Sequence, residues 1–334
     1  AVFSCVEFAV IYNKHWVCRL YFVTKLVTFN HIFTFQSKKQ DVLKRYCQAK
    51  GCSGDVFLYL CNYKYKQIKA LMNIDLTGKN ALVCGSSQGI GKAAAEELAL
   101  LGANITLFAR TESSLREVLQ GLDQSKGQHH NYLCADFSNP EQVQQIVAGY
   151  LALQQTVFHI LVNNTGGPPG GPITNATPQA FLQAYNNHLI CNQLLAQTVL
   201  PGMKAAQYGR IINIISTSVK APIAGLGVSN TTRWAVAGWA KTWANEVGQF
   251  GITVNNVLPG YTATQRLYSL IDARAAAAQT TPQAIAADMV NSIPARRFAQ
   301  PHEVAVAVAF LASPAAAYIN GINLPVDGGR TDTL

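Results

Sequence analysis

The sequence predicts a doubly wound α/β fold for residues 72–334, with a seven-stranded parallel sheet and helices on both of its faces. Three observations predict it. Short apolar runs alternate with longer stretches of helical character, as in a repeated strand–helix–strand unit. The runs are nearly continuous in apolar residues, which is typical of parallel strands buried on both faces. A glycine-rich turn follows the first run and leads into the first helix, where such folds bind phosphate.

Seven apolar runs are the predicted strands, and the longer stretches between them supply the predicted helices. The strands are expected at residues 81–84, 105–108, 132–134, 158–162, 211–215, 252–258 and 322–326. Helices are expected at residues 91–101, 141–154, 178–206, 228–249 and 301–312. Right-handed crossovers between the strands then place helices on both faces. The segment 262–292 interrupts the alternation, and we expect it to be a mobile helical lid over the substrate.

The first predicted strand ends in a turn suited to binding a pyrophosphate. Its sequence predicts cofactor contacts from Gly85, Ser87, Gln88, Gly89, Ile90 and Gly91. Gly85 permits a tight exit from the strand, Gly89 lets the backbone approach a phosphate, and Gly91 lets the helix pack on the sheet. The start of that helix offers free N–H groups and a partial positive charge. The alternative is an ordinary glycine-rich turn.

The end of the second predicted strand favours NADP over NAD. An NAD site places a carboxylate there to bind both ribose hydroxyls. Here the strand ends Leu107-Phe108-Ala109-Arg110 and has no acid. A guanidinium pairs instead with a 2′-phosphate, to which it bonds bidentately. Gln88 does not supply a second positive charge, and the alternative is that Arg110 faces solvent.

Four further motifs occur in order along the chain. They are Asn163-Asn164-Thr165-Gly166, Pro259-Gly260-Tyr261-Thr262-Ala263-Thr264, Phe310-Leu311-Ala312-Ser313 and Val326-Asp327-Gly328-Gly329. With the glycine turn, they resemble the short-chain dehydrogenase/reductase family, especially its 3-oxoacyl-carrier-protein reductase-like members, over residues 73–334. The resemblance implies a Rossmann-type sheet and a cytoplasmic homodimer or homotetramer. It also implies that Asn163 stabilises the sheet, Asp136 contacts adenine, Thr264 contacts the nicotinamide amide, and Pro259 and Gly260 line the cofactor.

The family's catalytic set is Asn, Ser, Tyr and Lys, the last two as Tyr-x-x-x-Lys, and this chain departs from it. An ungapped alignment puts Ser216 at the serine position. Ser229 then stands where the tyrosine belongs and Arg233 where the lysine belongs. His188 falls at the asparagine position, although a shift of one residue would restore Asn187. The resemblance also implies that Arg233 binds the nicotinamide ribose.

These substitutions change the proton chemistry. A phenol near pKa 10 can be tuned toward neutrality by an adjacent cation, but an aliphatic hydroxyl such as that of Ser229 is a far weaker acid. Arg233 keeps a positive charge and cannot release its proton. His188 has an ordinary pKa that suits proton transfer near neutrality, and its alternative role is a helix histidine bonded to a backbone carbonyl.

Residues 1–71 differ from the rest of the chain, and we expect them to lie outside the functional fold. Residues 1–73 hold 11 Lys and Arg against 3 Asp and Glu, whereas the remaining residues hold 15 against 14. Residues 74–334, the body of the chain, are therefore nearly neutral, and we expect no nucleic-acid partner. A targeting segment, a membrane-surface segment and an accessory region are the alternatives for residues 1–71. No sustained helical or strand periodicity marks them, and Glu7, Lys14, Arg19 and Lys25 interrupt every apolar run, so no membrane span is expected.

The composition bounds the remaining possibilities. The 49% hydrophobic and 13% charged residues suit a globular enzyme, and no Cys or His spacing indicates a metal. Three scattered cysteines in the body, Cys84, Cys134 and Cys191, fit a reducing compartment. A stripe of Val236, Ala240 and Trp243 on the helix at 228–249 is expected to bury against a second copy, or else against its own sheet.

Two functions follow from the sequence. The first is an NADP-dependent oxidoreductase that acts on a carbonyl or secondary-alcohol substrate, with Ser216, His188, Ser229 and Arg233 as its catalytic group. The second is an NAD(P)-binding sensor or scaffold subunit without turnover. The altered catalytic positions favour the second function, and the cofactor turn with Ser216 and Thr264 favours the first.

Overall fold

The computed structural model describes residues 5–12 and 16–23 by their backbone and residues 72–333 in full. The chain divides into two units, Ala1–Leu71 and Met72–Leu334. In the first unit, β1 (Cys5–Tyr12) and β2 (Trp16–Val23) pair antiparallel, with Cys5 opposite Val23. The sequence analysis found no sustained strand periodicity there, yet both segments form strands. Both segments are rich in β-branched and aromatic residues, which favour strands even where alternation is imperfect.

The second unit is built on the predicted seven-stranded parallel sheet. Its strands are β3 (Asn80–Cys84), β4 (Asn104–Ala109), β5 (Asn131–Cys134), β6 (Ile160–Asn163), β7 (Gly209–Ile214), β8 (Ile252–Pro259) and β9 (Asn323–Val326). Their spatial order is β5-β4-β3-β6-β7-β8-β9. The direction in which successive strands are added to the sheet reverses between β3 and β6, and a doubly wound sheet binds its ligand in the crevice at that point.

Helices cover both faces of the sheet. They are α1 (Gly89–Leu100), α2 (Glu112–Gln120), α3 (Pro140–Gln154), α4 (Pro178–Tyr185), α5 (Cys191–Ala206), α6 (Gly227–Val247), α7 (Gln265–Ala277), α8 (Pro282–Asn291) and α9 (Pro301–Ala312). One apolar core joins α1, α2 and α9 to the sheet. The other core joins α3, α5 and α6 to the opposite face. Successive side chains of a strand point to opposite faces of the sheet, so Val83 packs in the first core and Leu82 in the second.

Two details differ from the helical pattern in the sequence. The predicted helix at 178–206 is interrupted by a π-helical turn, Asn186–Ile190, which separates α4 from α5. One extra residue in such a turn shifts the side chains that follow, and π turns are frequent at functional sites. Helix α2 contributes Leu115 and Val118 to the core, but it was too short to stand out as a periodic segment.

The stripe on α6 is buried within its own chain. Val236 and Ala240 have no solvent exposure, and Trp243 packs against the core that Ala240 joins. Val236 and Ala240 therefore offer no face to a second copy, Trp243 is only partly buried, and periodicity alone did not identify what buries the stripe. The homo-oligomer stays a prediction from the resemblance. Among the described residues, no helix is long and apolar enough to cross a membrane.

Candidate functional site

The turn between β3 and α1 has a backbone shape that favours glycine. Gly85 and Gly89 have φ angles of 59° and 58°. A Cβ atom on Gly91 would lie 2.1 Å from the Gly85 carbonyl oxygen, so no side chain fits there. The Gly85 N–H donates to the Phe108 carbonyl at 2.7 Å, which ties the turn to β4. The turn is therefore held close to the sheet edge with its backbone open.

The first turn of α1 leaves its N–H groups without a side-chain cap. Gln88 is the N-cap residue, yet its side chain makes no capping bond, and no acidic residue lies in the first turn. Ser87 and Ile90 are both half-buried, and the Ile90 side chain packs against the core. Free N–H groups and the helix dipole make this end of α1 suited to an anion.

The segment after β6 fastens the turn from the other side. The Asn164 Nδ2 atom donates to the Gly85 carbonyl at 3.3 Å and lies 3.4 Å from the Cys84 carbonyl. A Cβ on either Gly85 or Gly91 would come within 2.7 Å of Asn164. Asn164 thus fixes the position of the glycine turn against the strand that lies across the switch point.

A row of asparagines crosses four neighbouring strands just below this edge. Asn163 donates to Asn213 at 2.9 Å, Asn213 donates to Asn256 at 2.8 Å, and Asn256 donates to Asn323 at 2.8 Å. Consecutive members are register partners, so each amide reaches the next strand directly. The row locks β6 to β9 in register, and the Asn163 Oδ1 atom at its end is buried without a partner. The expected stabilising role of Asn163 agrees with this geometry.

Arg233 carries a buried positive charge to the carboxyl end of β7. The residue is only 8% exposed, and its Nη1 atom donates to the Ile214 carbonyl at 3.0 Å. Burial, together with the nearby charge of Arg266, lowers the pKa of Arg233 to about 10. The group still remains charged near neutrality. Its Nε atom is buried and has no partner in the described structure.

His188 lies in the π turn beside Arg233 and faces Gly166. Burial lowers the pKa of His188 well below its ordinary value, Arg233 adds to this effect, and a hydrogen bond to the Gly166 backbone opposes it. His188 is therefore neutral near pH 7, and its Nε2 atom is buried without a partner. The structure brings His188 to the site, whereas Asn187 lies beside Gln183 on the outer side of the turn.

Ser216 and Ser229 stand on two elements that pack together. The Ser216 Oγ atom accepts the Ser218 N–H at 3.0 Å, immediately after β7. Trp234 of α6 donates to the Ser218 carbonyl at 2.9 Å, which ties the helix that carries Ser229 to this segment. Both serines are half-buried. The Ser216 hydroxyl keeps its own proton free to donate to a ligand.

The loop after β8 closes over the glycine turn. Gly260 follows Pro259 and lies against Asp327, where a Cβ would approach the Asp327 Cα to 2.7 Å. A Cβ on Gly89 would lie 3.3 Å from the Thr264 methyl carbon, so this loop reaches the phosphate-binding turn. Thr264 caps α7 by accepting the Leu267 N–H at 3.4 Å. Arg266, two residues on, donates to the Pro168 carbonyl.

Three loops therefore meet at the carboxyl edge of the sheet. The loop that follows β6 contacts the other parts of the site. Asn164 bonds Gly85, and Gly166 bonds His188. Gly167 lies beside Arg233 and Arg266. At the far side of the edge, Arg110 lies 3.8 Å from Asp136. The arrangement offers N–H donors at one end and positive charge at the other, around an open, glycine-lined backbone.

Comparison with known proteins identifies the family. A family model described as enoyl-(acyl carrier protein) reductase matches residues 85–331. Over 257 residues, the chain is 35% identical to the 3-oxoacyl-acyl-carrier-protein reductase FabG of Vibrio cholerae, covering 77% of this chain and 98% of that protein. This chain belongs to the short-chain dehydrogenase/reductase family. It is thus an oxidoreductase by family, as the motifs indicated.

Other members differ in what their names describe. A tropinone reductase homolog of Arabidopsis thaliana is 34% identical over 258 residues, covering 77% of this chain and 91% of that protein. The crystal structure of L-sorbose reductase from Gluconobacter frateurii, complexed with NADPH and L-sorbose, has a TM-score of 0.74 at 31% identity. It covers 79% of this chain and all of that one. The family is therefore clear, while the substrates of its members vary.

The residues of this chain fit the dinucleotide that short-chain dehydrogenases and reductases use. The cradle around Gly91 excludes any side chain, the start of α1 is uncapped, and Gly166 has open space where a Cβ would stand. Gly85, Ser87, Gln88, Gly89, Ile90 and Gly91 would hold the phosphates, with Asn163, Pro259, Gly260, Thr264 and Arg233 on the nicotinamide side. Arg110 and Asp136 stand at the adenosine side.

A cleft of about 430 Å³ adjoins the short-chain dehydrogenase/reductase site. It is lined by Thr217 and residues 221–224, which follow Ser216, and by Tyr261, Arg274 and Ser292. Arg330, Thr331 and Asp332 complete its wall. Two of these residues, Arg274 and Ser292, belong to or adjoin the helices of the 262–292 segment. That segment therefore forms part of the cleft wall, and its role as a substrate lid stays a prediction.

Sequence reasoning missed two residues of this site. Asn164 was quoted within a motif but was given no role, although it fixes the glycine turn. Arg266 was given no role, because its contact with Pro168 spans 98 positions of the chain. The signal for Arg266 was its place two residues after Thr264, where the loop after β8 turns back over the site.

Proposed function

We propose that this chain is an NADP-dependent oxidoreductase that transfers hydride between nicotinamide and a carbonyl or secondary-alcohol substrate. The observation that carries the proposal is the segment Asn164 to Gly167, which contacts the glycine turn at one end and the buried Arg233 at the other. N–H groups that can bind a phosphate and a fixed positive charge thus stand at the two ends of this segment. Such an arrangement suits a dinucleotide whose reactive ring lies beside a developing oxyanion.

The preference for NADP rests on Arg110. It follows β4 directly, and its side chain is 76% exposed and free to meet a ligand. The strand ends Ala109-Arg110 without a carboxylate, where an NAD site would have one. A guanidinium in this place offers a bidentate contact to a 2′-phosphate. The bound NADPH of the L-sorbose reductase structure supports the same choice.

When bound, the reduced nicotinamide supplies hydride to the carbonyl carbon. The carbonyl oxygen then gains the electron pair of its π bond and needs one proton to become a hydroxyl. Ser216 can donate its free hydroxyl proton into a hydrogen bond with that oxygen and orient the carbonyl. The fixed charge of Arg233 stabilises the oxygen as it becomes negative.

The proton source is where this chain differs from its relatives. Burial lowers the pKa of His188, so little imidazolium is present at neutral pH to act as an acid. Ser229 is too weak an acid, and Arg233 retains its proton. We therefore infer that a water in the cleft near Ser229 delivers the proton and that His188 serves as a neutral positioning group. Proton delivery by a water loses part of the rate enhancement of roughly 10²–10⁴-fold that a positioned general acid contributes.

The test is a pair of titrations followed by a substrate panel. NADPH and NADH are titrated into the full chain, and NADPH absorbance is then followed with ketones, oxo acids and hydroxy ketones. The proposal predicts tighter binding of NADPH than of NADH and slow oxidation with at least one class. Tight NADPH binding with no turnover on any carbonyl would overturn it and favour the NAD(P)-binding sensor or scaffold instead.

A further inference from the structure

Two arginines converge on one glycine of the site. The Arg233 Nη2 atom would lie 3.6 Å from a Cβ on Gly167, and the Arg266 Nη2 atom would lie 3.7 Å from the same point. Arg266 is held there by its bond to the Pro168 carbonyl. Within residues 72–333, no carboxylate forms an ion pair with either guanidinium. Two like charges thus flank one open backbone position without a carboxylate counter-ion among the described residues.

This arrangement is unfavourable unless an anion completes it. Arg266 is the charged group that opposes the ionisation of Arg233. The Arg233 Nε atom is buried and unpartnered, and a buried donor left without an acceptor destabilises the folded state. Guanidiniums bind carboxylates and phosphates bidentately, which would satisfy donors of both arginines at once. The structure therefore contains a preformed anion site rather than two unrelated surface charges.

The adjoining cleft is also lined by positively charged side chains. Arg274 and Arg330 line it, and Asp332 is the acid in its wall. Arg330 is fixed by a 3.1 Å bond to the Tyr261 hydroxyl and stacks on that ring, and its Nε atom is also buried without a partner. Positive charge in a cleft attracts anionic substrates and raises their local concentration.

The location of the pair indicates which part of the substrate it meets. Arg233 donates to the Ile214 carbonyl, two residues before Ser216. A group bound between Arg233 and Arg266 therefore stands near the hydroxyl that orients the reacting oxygen. We propose that this pair binds a substrate carboxylate, so that the chain acts on a free oxo acid or hydroxy acid. The inference rests on the proposed function, and the cofactor pyrophosphate is the other source of the same anionic chemistry.

The experiment separates these two sources. Pyruvate, acetoacetate and malonate are titrated by calorimetry into the full chain saturated with NADP⁺, with acetylacetone as an uncharged analogue. The wild type is expected to bind at least one of the three anions and to bind acetylacetone at least 10-fold more weakly. Arg266→Gln should weaken the anion about 10-fold or more, the loss of one charge-assisted bond, while NADPH affinity changes less than twofold. Arg266→Lys, which keeps the charge, should recover part of the loss.

Arg116→Gln is the matched control, because Arg116 pairs with Glu112 on α2, away from the site. This variant should leave all affinities unchanged. The proposal is overturned if none of the three anions binds. It is also overturned if Arg266→Gln weakens NADPH while anion binding to the saturated protein is unaffected, since the pair then serves the pyrophosphate. Absence of turnover with intact, Arg266-dependent anion binding would count against the oxidoreductase proposal alone.

Discussion

Arg110 and Asp136 face each other across the carboxyl ends of β4 and β5, with 3.8 Å between Nη1 and Oδ2. Both side chains are substantially exposed, so this ion pair contributes only about 0–1 kcal/mol to stability. Hydrogen bonds from Ser138 are the main reason that the pKa of Asp136 lies below its ordinary value. Arg110 is therefore positioned without being strongly held, and a phosphate can displace the contact.

Arg110→Ala is expected to weaken NADPH binding by about 10- to 150-fold, the loss of a charge-assisted hydrogen bond of about 1.5–3 kcal/mol. NADH lacks the 2′-phosphate, so its affinity should hardly change. Fluorescence titration of both cofactors measures the difference. Arg116→Ala removes an exposed arginine from the neighbouring helix α2 and controls for general charge. An equal loss for both cofactors would mean that Arg110 does not bind the phosphate.

Ser216→Ala is expected to lower kcat by about 5- to 150-fold, or about 1–3 kcal/mol of transition-state stabilisation, with NADPH affinity unchanged. The hydrogen bond to the substrate oxygen strengthens as negative charge develops there. Ser218→Ala is the matched control, because the Ser218 Oγ atom is buried and bonds nothing in the described structure. Equal activity of the two variants would remove Ser216 from the mechanism.

His188 should make stability depend on pH below neutrality. Burial beside Arg233 lowers the pKa of His188 in the folded state. Below neutral pH, the unfolded chain therefore binds a proton at this histidine that the folded chain does not bind. Stability should therefore fall as pH drops below about 6.5, by at most about 1.4 kcal/mol per pH unit for this proton. His159 also has a lowered pKa and acts in the same direction in every variant.

Urea unfolding at pH 7 and pH 5.5 measures this contribution. His188→Asn should lose less stability between the two pH values than the wild type does, whatever its absolute stability. His129→Asn, at an exposed histidine, should behave as the wild type does. An unchanged pH dependence in His188→Asn would mean that His188 is not buried in its neutral form.

Deleting residues 1–71 should leave a folded, cofactor-binding protein. Both apolar cores and every residue of the candidate site lie within Met72–Leu334. The shortened chain is expected to unfold cooperatively in urea and to bind NADPH with the affinity of the full chain. An insoluble product, or a large loss of NADPH affinity, would show that the N-terminal unit supports the fold.

Much of the fold was predictable because parallel strands carry a strong signal. All seven strands were located, and the central ones were the clearest, because burial on both faces favours nearly continuous apolar runs such as that in Asn80–Cys84. The asparagine row was not foreseen. Asn213 and Asn256 occur within apolar runs, and only the strand register shows that their amides meet. The glycine turn was predictable because its chemistry is local.

The rest of the site depends on contacts that no local pattern contains. The neutral state of His188 follows from burial in a π turn beside Arg233, whereas sequence provides only its ordinary pKa. The pairing of Arg266 with Arg233 depends on how the loop after β8 folds back on Gly167. The stripe of Val236 and Ala240 was recognised as buried, but periodicity does not identify the burying partner.

Restoring the family pair should accelerate the reaction. Ser229→Tyr combined with Arg233→Lys supplies a phenol beside a cation, and kcat should rise about 10-fold or more if the acid was missing. Ser229→Phe with Arg233→Lys adds the same ring without the hydroxyl and is the matched control. Steady-state rates on the best substrate of the panel compare them. Equal rates for both double variants would mean that proton delivery does not limit turnover.

The most direct test of the account is isotope transfer from the cofactor to the product. NADPH carrying deuterium at the transferred C4 position is incubated with the full chain and the carbonyl panel, and products are analysed by mass spectrometry. We predict one deuterium on the new carbinol carbon for each NADPH consumed. The double variant Ser216→Ala with Arg233→Ala should form no deuterated product. NADPH that binds but delivers no label to any product would contradict the account.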